Sequence, residues 1–193
     1  MGETMPAVVC ESWRPYDEME LKEVPVPGPL APGEVRIGVS HAAVSWATTL
    51  VVEGKYQRKP PLPFSPGAEV SGTVLEVGEG PLDAPLKVGD RVCAALDWGG
   101  YAGQVAVHSR HVYAIPEGLD AGAAAGVPIS WMTAYGGLVW RAGIKPGDND
   151  TSVTGWMVLA LKTAKQCRLG VPKQEFQNAF GGAADAHVDV DAG

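Results

Sequence analysis

Hydrophobic positions along this chain fall into two regimes. Up to about residue 118 they alternate with polar positions over short runs. In "GEVRIGVSHAAV", Val35, Ile37 and Val39 stand two apart and Ala42 follows. Period two places one face of a strand on a core and the other toward water. "MPAVVC", "MELKEVPVP", "EVSGTVLEVG", "VGDRVCAAL", "GGYAGQVAVHS" and "HVYAIPE" are further short runs, with Gly and Pro between them. Strands at this spacing predict a closed or sandwich-like β domain. "SWATTLVVEG" fits a short helix or turn. "KPPLPFSPGAE" is a loop, because proline cannot donate to the centre of a sheet.

After residue 118 the period lengthens. Asp120 is placed to N-cap the Ala-rich "DAGAAAGVP". In "SWMTAYGGLVWRAG", Trp131, Ala134, Leu138 and Arg141 recur at helical spacing, with Ser130 as the expected cap and Gly143 as the expected end. Further on, Val153, Trp156, Met157, Ala160, Leu161 and Ala164 make one apolar stripe, which predicts an amphipathic helix over 152–168. The tail "GGAADAHVDVDAG" is small and acidic and is expected to fray. The whole reads as mainly β, followed by two or three helices.

Composition narrows the function classes. A chain of 193 residues suits one domain or slightly more, and 46% hydrophobic content excludes wholesale disorder. A net charge of -7 argues against nucleic acid, whose phosphates need clustered Lys and Arg. No run approaches the ~20 apolar residues of a membrane span. The first ten residues lack a basic segment followed by an apolar stretch, so no secretory leader is expected. Cys10, Cys93 and Cys167 are distant from one another and odd in number, which reads as reduced and cytoplasmic.

From about Met5 to Asp148 the motifs fall in the order of a known family. "EGKYQRKPPLPFSPGAEVSGTVLEVGEG" is followed by "VGDRV", "GGYAGQV", "AIPEGL" and "TAYGGL". Each is weak alone, but together they resemble the medium-chain dehydrogenase/reductase superfamily, in its zinc-free quinone oxidoreductase branch. The resemblance implies a GroES-like β-barrel catalytic domain over 1–128 and the start of a nucleotide-binding domain over 129–148. It also implies NADPH as cofactor and a small-molecule quinone or enone as substrate.

Zinc-dependent relatives carry ligands where this chain resembles Ser45, Trp46 and Ala68; the neighbouring Glu69 is retained. Ser45 and Ala68 remove two of the three or four ligands a zinc needs, so no metal is expected. His41, His108, His111 and His187 have no partners at ligand spacing and are expected at the surface or at strand edges. In the family the nicotinamide supplies the hydride and the protein positions the acceptor. By resemblance, Ser45 and Tyr56 line the substrate side, with Tyr56 as a candidate donor to a developing oxyanion. Trp98 and Trp46 are candidates for the substrate pocket. Thr133 resembles the threonine beside the nicotinamide amide. The family more often has Asn at the position of Ser45 and Asp at that of Thr48. Other residues read structurally: Gly67, Gly72, Gly78, Gly89, Gly99 and Gly100 as turns and close approaches, Asp90 and Arg91 as the holders of a turn.

In the family, "KPGD" leads into a strand and a glycine-rich turn whose N–H groups hold the pyrophosphate. Here "NDTSVTGWMVLALKTAKQC" follows instead. The expectation is therefore that the Rossmann domain is absent, that NADPH binds weakly or not at all, and that 149–193 is an unrelated amphipathic helix with a disordered tail. Residues 150–180 resemble one helical repeat of the squalene-cyclase and prenyltransferase type. One repeat cannot bury its own apolar face, so loose packing or self-association through this helix is expected. The chain would then be an incomplete reductase, a non-catalytic binding domain, or a fusion fragment without its own activity.

Overall fold

The computed structural model describes residues 2–141. The helix expected over 152–168, the tail, Gly143 and Cys167 all lie outside the described residues. A compact unit ends at Ser130, and the described segment from Trp131 to Arg141 is taken separately.

Among the described residues, seven strands form in the runs read as strands. β1 (Thr4–Val9) pairs antiparallel with β2 (Glu20–Pro25). The other five are β3 (Glu34–Ala42), β4 (Glu69–Val77), β5 (Arg91–Ala95), β6 (Gln104–His108) and β7 (Val112–Ala114). They make one sheet in the order β6-β3-β4-β5-β7, and every pairing is antiparallel. The alternating positions supply its core: Val35 and Ile37 from β3, Val70 and Val74 from β4, Val92 and Ala94 from β5, Val105 and Val107 from β6. Each fully buried Val or Ile contributes roughly 1.5–3 kcal/mol by transfer, an upper figure because the unfolded chain is already partly compact.

Two departures from regular pairing shape the region that follows. β3 bulges between Val39 and His41, and the Ser40 hydroxyl on the bulge donates to the Ser71 carbonyl at 3.1 Å. Next to it β3 and β4 approach so closely that a Cβ on Gly72 would collide with the Gly38 carbonyl oxygen. Gly72 is therefore required for approach rather than for a turn. Gly67, by contrast, has φ +92, and a Cβ there would lie 2.5 Å from the Tyr101 ring.

The first four residues of β4, Glu69 to Gly72, are buried on both faces. α2 (Ala121–Ala125) packs on β4 and β3, and Ser71 Oγ donates to the Ala121 carbonyl at 2.6 Å. Asp120 caps α2 as the sequence predicts, accepting the Ala123 N–H at 3.1 Å.

The next stretch departs from expectation. Ser130 does not cap the following helix. It lies within a π-helical segment, Val127–Trp131, and its hydroxyl bonds to Glu69. A short α3 (Met132–Tyr135) follows with no side-chain cap, and a second π-helical segment runs Gly136–Arg141. Asp90 holds the turn before β5 by accepting the Lys87 N–H at 2.9 Å. Arg91 instead reaches the Leu119 carbonyl at 2.7 Å.

Candidate active site

The candidate residues gather around α1 (Trp46–Val52), which leaves β3 through Ala43 and Val44. Ser45 has extended backbone and caps this helix: its Oγ accepts the Thr48 N–H at 3.3 Å. The same Oγ lies 3.2 Å from Thr48 Oγ1. Ser-x-x-Thr is a spacing that puts both hydroxyls on one helix entrance. Thr48 is only 7% exposed. Nearby, the Tyr101 phenol donates to the Ala43 carbonyl at 3.2 Å. Burial pushes the Tyr101 phenol above its ordinary pKa, the neighbouring Thr48 hydroxyl opposes that shift, and the Glu69 charge adds to it. Tyr101 reaches this position because its loop is pinned to the proline-rich loop, Gly100 N to the Gly67 carbonyl at 2.9 Å and Tyr101 N to the Pro66 carbonyl at 2.8 Å.

Glu69 lies behind this cluster at 2% exposure. One carboxylate oxygen accepts the N–H groups of Ile129 (2.9 Å) and Ser130 (3.1 Å); the other accepts the Ser130 hydroxyl at 2.6 Å. A buried carboxylate needs such donors to offset desolvation. Cys93, opposite Ser71 in the sheet, is pushed up to about 11, first by burial and then by the Glu69 charge.

The other sequence candidates are more scattered. Tyr56 follows α1, is half-buried, and makes no side-chain hydrogen bond among the described residues; its N–H bonds the Leu50 carbonyl at 3.1 Å. Trp46 is 77% exposed at the first turn of α1. Trp98 lines an open groove of about 410 Å³ between β1, β6 and the proline-rich loop. Ser45, Trp46 and Tyr56 are not among that groove's lining residues. Thr133 lies in α3, beyond Ser130, and is exposed. Sequence reasoning missed the roles of Thr48 and Tyr101. The Ser-x-x-Thr spacing was a usable signal for the first; the second depends on a loop contact with Gly67.

A zinc does not fit these residues. Ser45 Oγ is engaged with Thr48, Ala68 offers no ligand atom, and among the described residues no three His, Cys, Asp or Glu side chains converge. His108 sits 3.4 Å from Asp83, while His111 accepts from Arg110.

Comparison with known proteins places this architecture. Residues 31–117 match the alcohol dehydrogenase GroES-like domain. Their fold is GroES-like. The relatives around it support the medium-chain dehydrogenase/reductase superfamily. The chain is 36% identical over 166 residues to the rat quinone oxidoreductase-like protein 2, covering 83% of the chain and 46% of that protein. The human synaptic vesicle membrane protein VAT-1 homolog-like protein has the same fold with a TM-score of 0.69 and 29% identity, over 75% of the chain and 46% of its own. The quinone oxidoreductase of Thermus thermophilus, also solved with NADPH, shares 33% identity at a TM-score of 0.59, over 75% of the chain and 43% of its own. The chain thus spans less than half the length of each of these proteins. The expectation of a squalene-cyclase-type repeat over 150–180 is not borne out; the relatives of this GroES-like domain are oxidoreductases and VAT-1 homologues.

Proposed function

We propose that this GroES-like domain holds the acceptor of a zinc-independent, NADPH-dependent quinone or enone reductase. The observation that carries the reading is the Ser45–Thr48 hydroxyl pair at the entrance of α1, with the Tyr101 phenol nearby; of these, Ser45 stands at a position where zinc-dependent relatives carry a metal ligand. Hydroxyls at a partly buried helix entrance hold and orient a carbonyl compound without a Lewis acid. Tyr56 is the donor toward the acceptor oxygen, and the exposed Trp46 ring offers an apolar face for a flat ligand. The names of the relatives support the same class of acceptor.

Bound NADPH supplies the hydride in such a reaction. The cluster has hydroxyls but no cationic side chain, so it suits the uncharged nicotinamide end and not the phosphates. Thr133 is the candidate contact for the amide. No strand and glycine-rich turn follows "KPGD" in the sequence. That favours a second reading in which the chain by itself binds the acceptor without turning it over. On either reading it works in a reducing compartment such as the cytoplasm.

The test is calorimetric titration of an exhaustively chelated chain with a quinone and an enone, followed by NADPH oxidation assays. Binding that survives chelation is expected. Binding that appears only on adding zinc overturns the proposal.

A further inference from the structure

We propose that the ion pair between Arg58 and Asp97 is a strap that holds Tyr56 toward the acceptor, which makes both charged residues positioning residues of the site. This rests on the acceptor reading above, in which Tyr56 is the donor. Among the described residues the Tyr56 phenol has no partner of its own, so its backbone aims it. On the N-terminal side that backbone is fixed: the Lys55 and Tyr56 N–H groups donate to the Leu50 carbonyl at 2.8 and 3.1 Å. On the other side run residues 57–63. Pro60, Pro61 and Pro63 have no N–H to give. Among the described residues no backbone group of 57–63 has a hydrogen-bond partner, and the next backbone bonds join Phe64 to Cys10, at 3.1 and 2.8 Å. Pro60 is buried and packs the middle of the segment. The polar tie nearest Tyr56 is Arg58, whose Nη1 lies 2.7 Å from Asp97 Oδ1.

The far end of the strap is anchored. Leu96 N–H donates to the Ala68 carbonyl and Gly99 N–H to the Ser65 carbonyl, both at 2.7 Å, so Asp97 and Trp98 are held between two backbone bonds. Arg58 stands two residues from Tyr56, and Asp97 stands beside Trp98, which lines the groove. Both charged side chains are more than half exposed, at 65% and 58%. Such a pair adds little to folding and is screened by salt. Its effect is to select one position of a segment that no other polar contact holds. An uncharged acceptor should therefore lose affinity as salt rises, although it carries no charge to screen.

The experiment is calorimetric titration of the full chain with tetramethylbenzoquinone at about 0.01 M and about 1 M sodium chloride, between which the screening length falls from roughly 30 Å to roughly 3 Å. High salt is expected to weaken binding about threefold, within what a surface ion pair supplies. Arg58→Gln should weaken the low-salt affinity by the same factor and remove the salt response; it also serves as the reference for any direct effect of salt on the quinone. The reversed pair, Arg58→Asp with Asp97→Arg, should restore both. In a Tyr56→Phe chain the Arg58→Gln change should have no further effect, because no phenol is left to aim. If Arg58→Gln weakens binding equally with Phe at position 56, or if affinity ignores both salt and charge reversal, the strap is overturned and the acceptor reading stands. No binding by the unaltered chain at low salt overturns the acceptor reading, and the strap with it.

Discussion

The Ser130 hydroxyl donates to the Glu69 carboxylate at 2.6 Å across 61 positions of sequence. With the Ile129 and Ser130 N–H groups, it gives that buried carboxylate three donors from two consecutive residues. β4 thereby fixes where the compact unit ends.

Glu69→Gln should test this anchor. A glutamine amide keeps one acceptor oxygen for the two N–H groups and turns its NH₂ toward the Ser130 hydroxyl, which must then accept and lose the partner of its own hydrogen, and all three bonds lose their charge assistance. We expect a loss of ~1–3 kcal/mol by urea unfolding. Glu69→Ala, which strands all three donors and leaves a void, should cost more. A cost under ~0.5 kcal/mol for Glu69→Ala, the range of an unremarkable surface change, would contradict the anchoring role.

Much of the fold was legible in local pattern, and the anchor shows what was not. Val35, Ile37 and Val39 announced β3 because the pleat itself has period two. Asp120 announced α2 because its cap is a contact over three residues. Ser130 has the same local credentials as a cap, yet a carboxylate brought from β4 by the sheet takes its hydroxyl instead. The π-helical turns on either side of α3 likewise left no mark in the helical spacing of Trp131 and Ala134. Within the site, Ser45 was found by its place in a motif. Tyr101 was missed because its role depends on the Gly67 approach, which brings two loops together.

Gly72 and Gly89 should respond differently to alanine. At Gly89, with φ +92 and open space around a Cβ, the cost is backbone strain alone, about 1 kcal/mol. At Gly72 the Cβ meets the Gly38 carbonyl oxygen, and β3 and β4 must part. Gly72→Ala should cost more than ~3 kcal/mol or prevent folding. Thermal unfolding of the two variants side by side checks the order.

Cys93 gives a pH prediction. Its thiol is pushed up from 9.0 to about 11 in the folded chain, first by burial. The folded state therefore favours the neutral thiol. That contribution to stability is fully present below pH 9 and is lost as pH rises through about 11. Unfolding midpoints should fall across this alkaline window, and Cys93→Ala should flatten the fall. Cys10 and Cys93 are both free and buried, so a thiol reagent at pH 8 should label neither at an appreciable rate until denaturant is added.

Removal and return of metal ions should leave the folded chain unchanged. After chelation, one equivalent of zinc should bind no more tightly than to an exposed histidine, because Ser45 and Ala68 supply no ligand set. Elemental analysis after desalting reads the result; about one zinc retained per chain contradicts it.

The central claim is that the acceptor seats at the Ser45–Thr48 entrance of α1 and not in the groove beside Trp98. Amide NMR during titration with an unreactive, fully substituted benzoquinone tests it most directly. The account predicts concentration-dependent shifts clustered at residues 44–48, at Tyr56 and at Tyr101, and their loss in Ser45→Ala. Shifts confined to Trp98, Gly99 and Gln104, unchanged by Ser45→Ala, would contradict it.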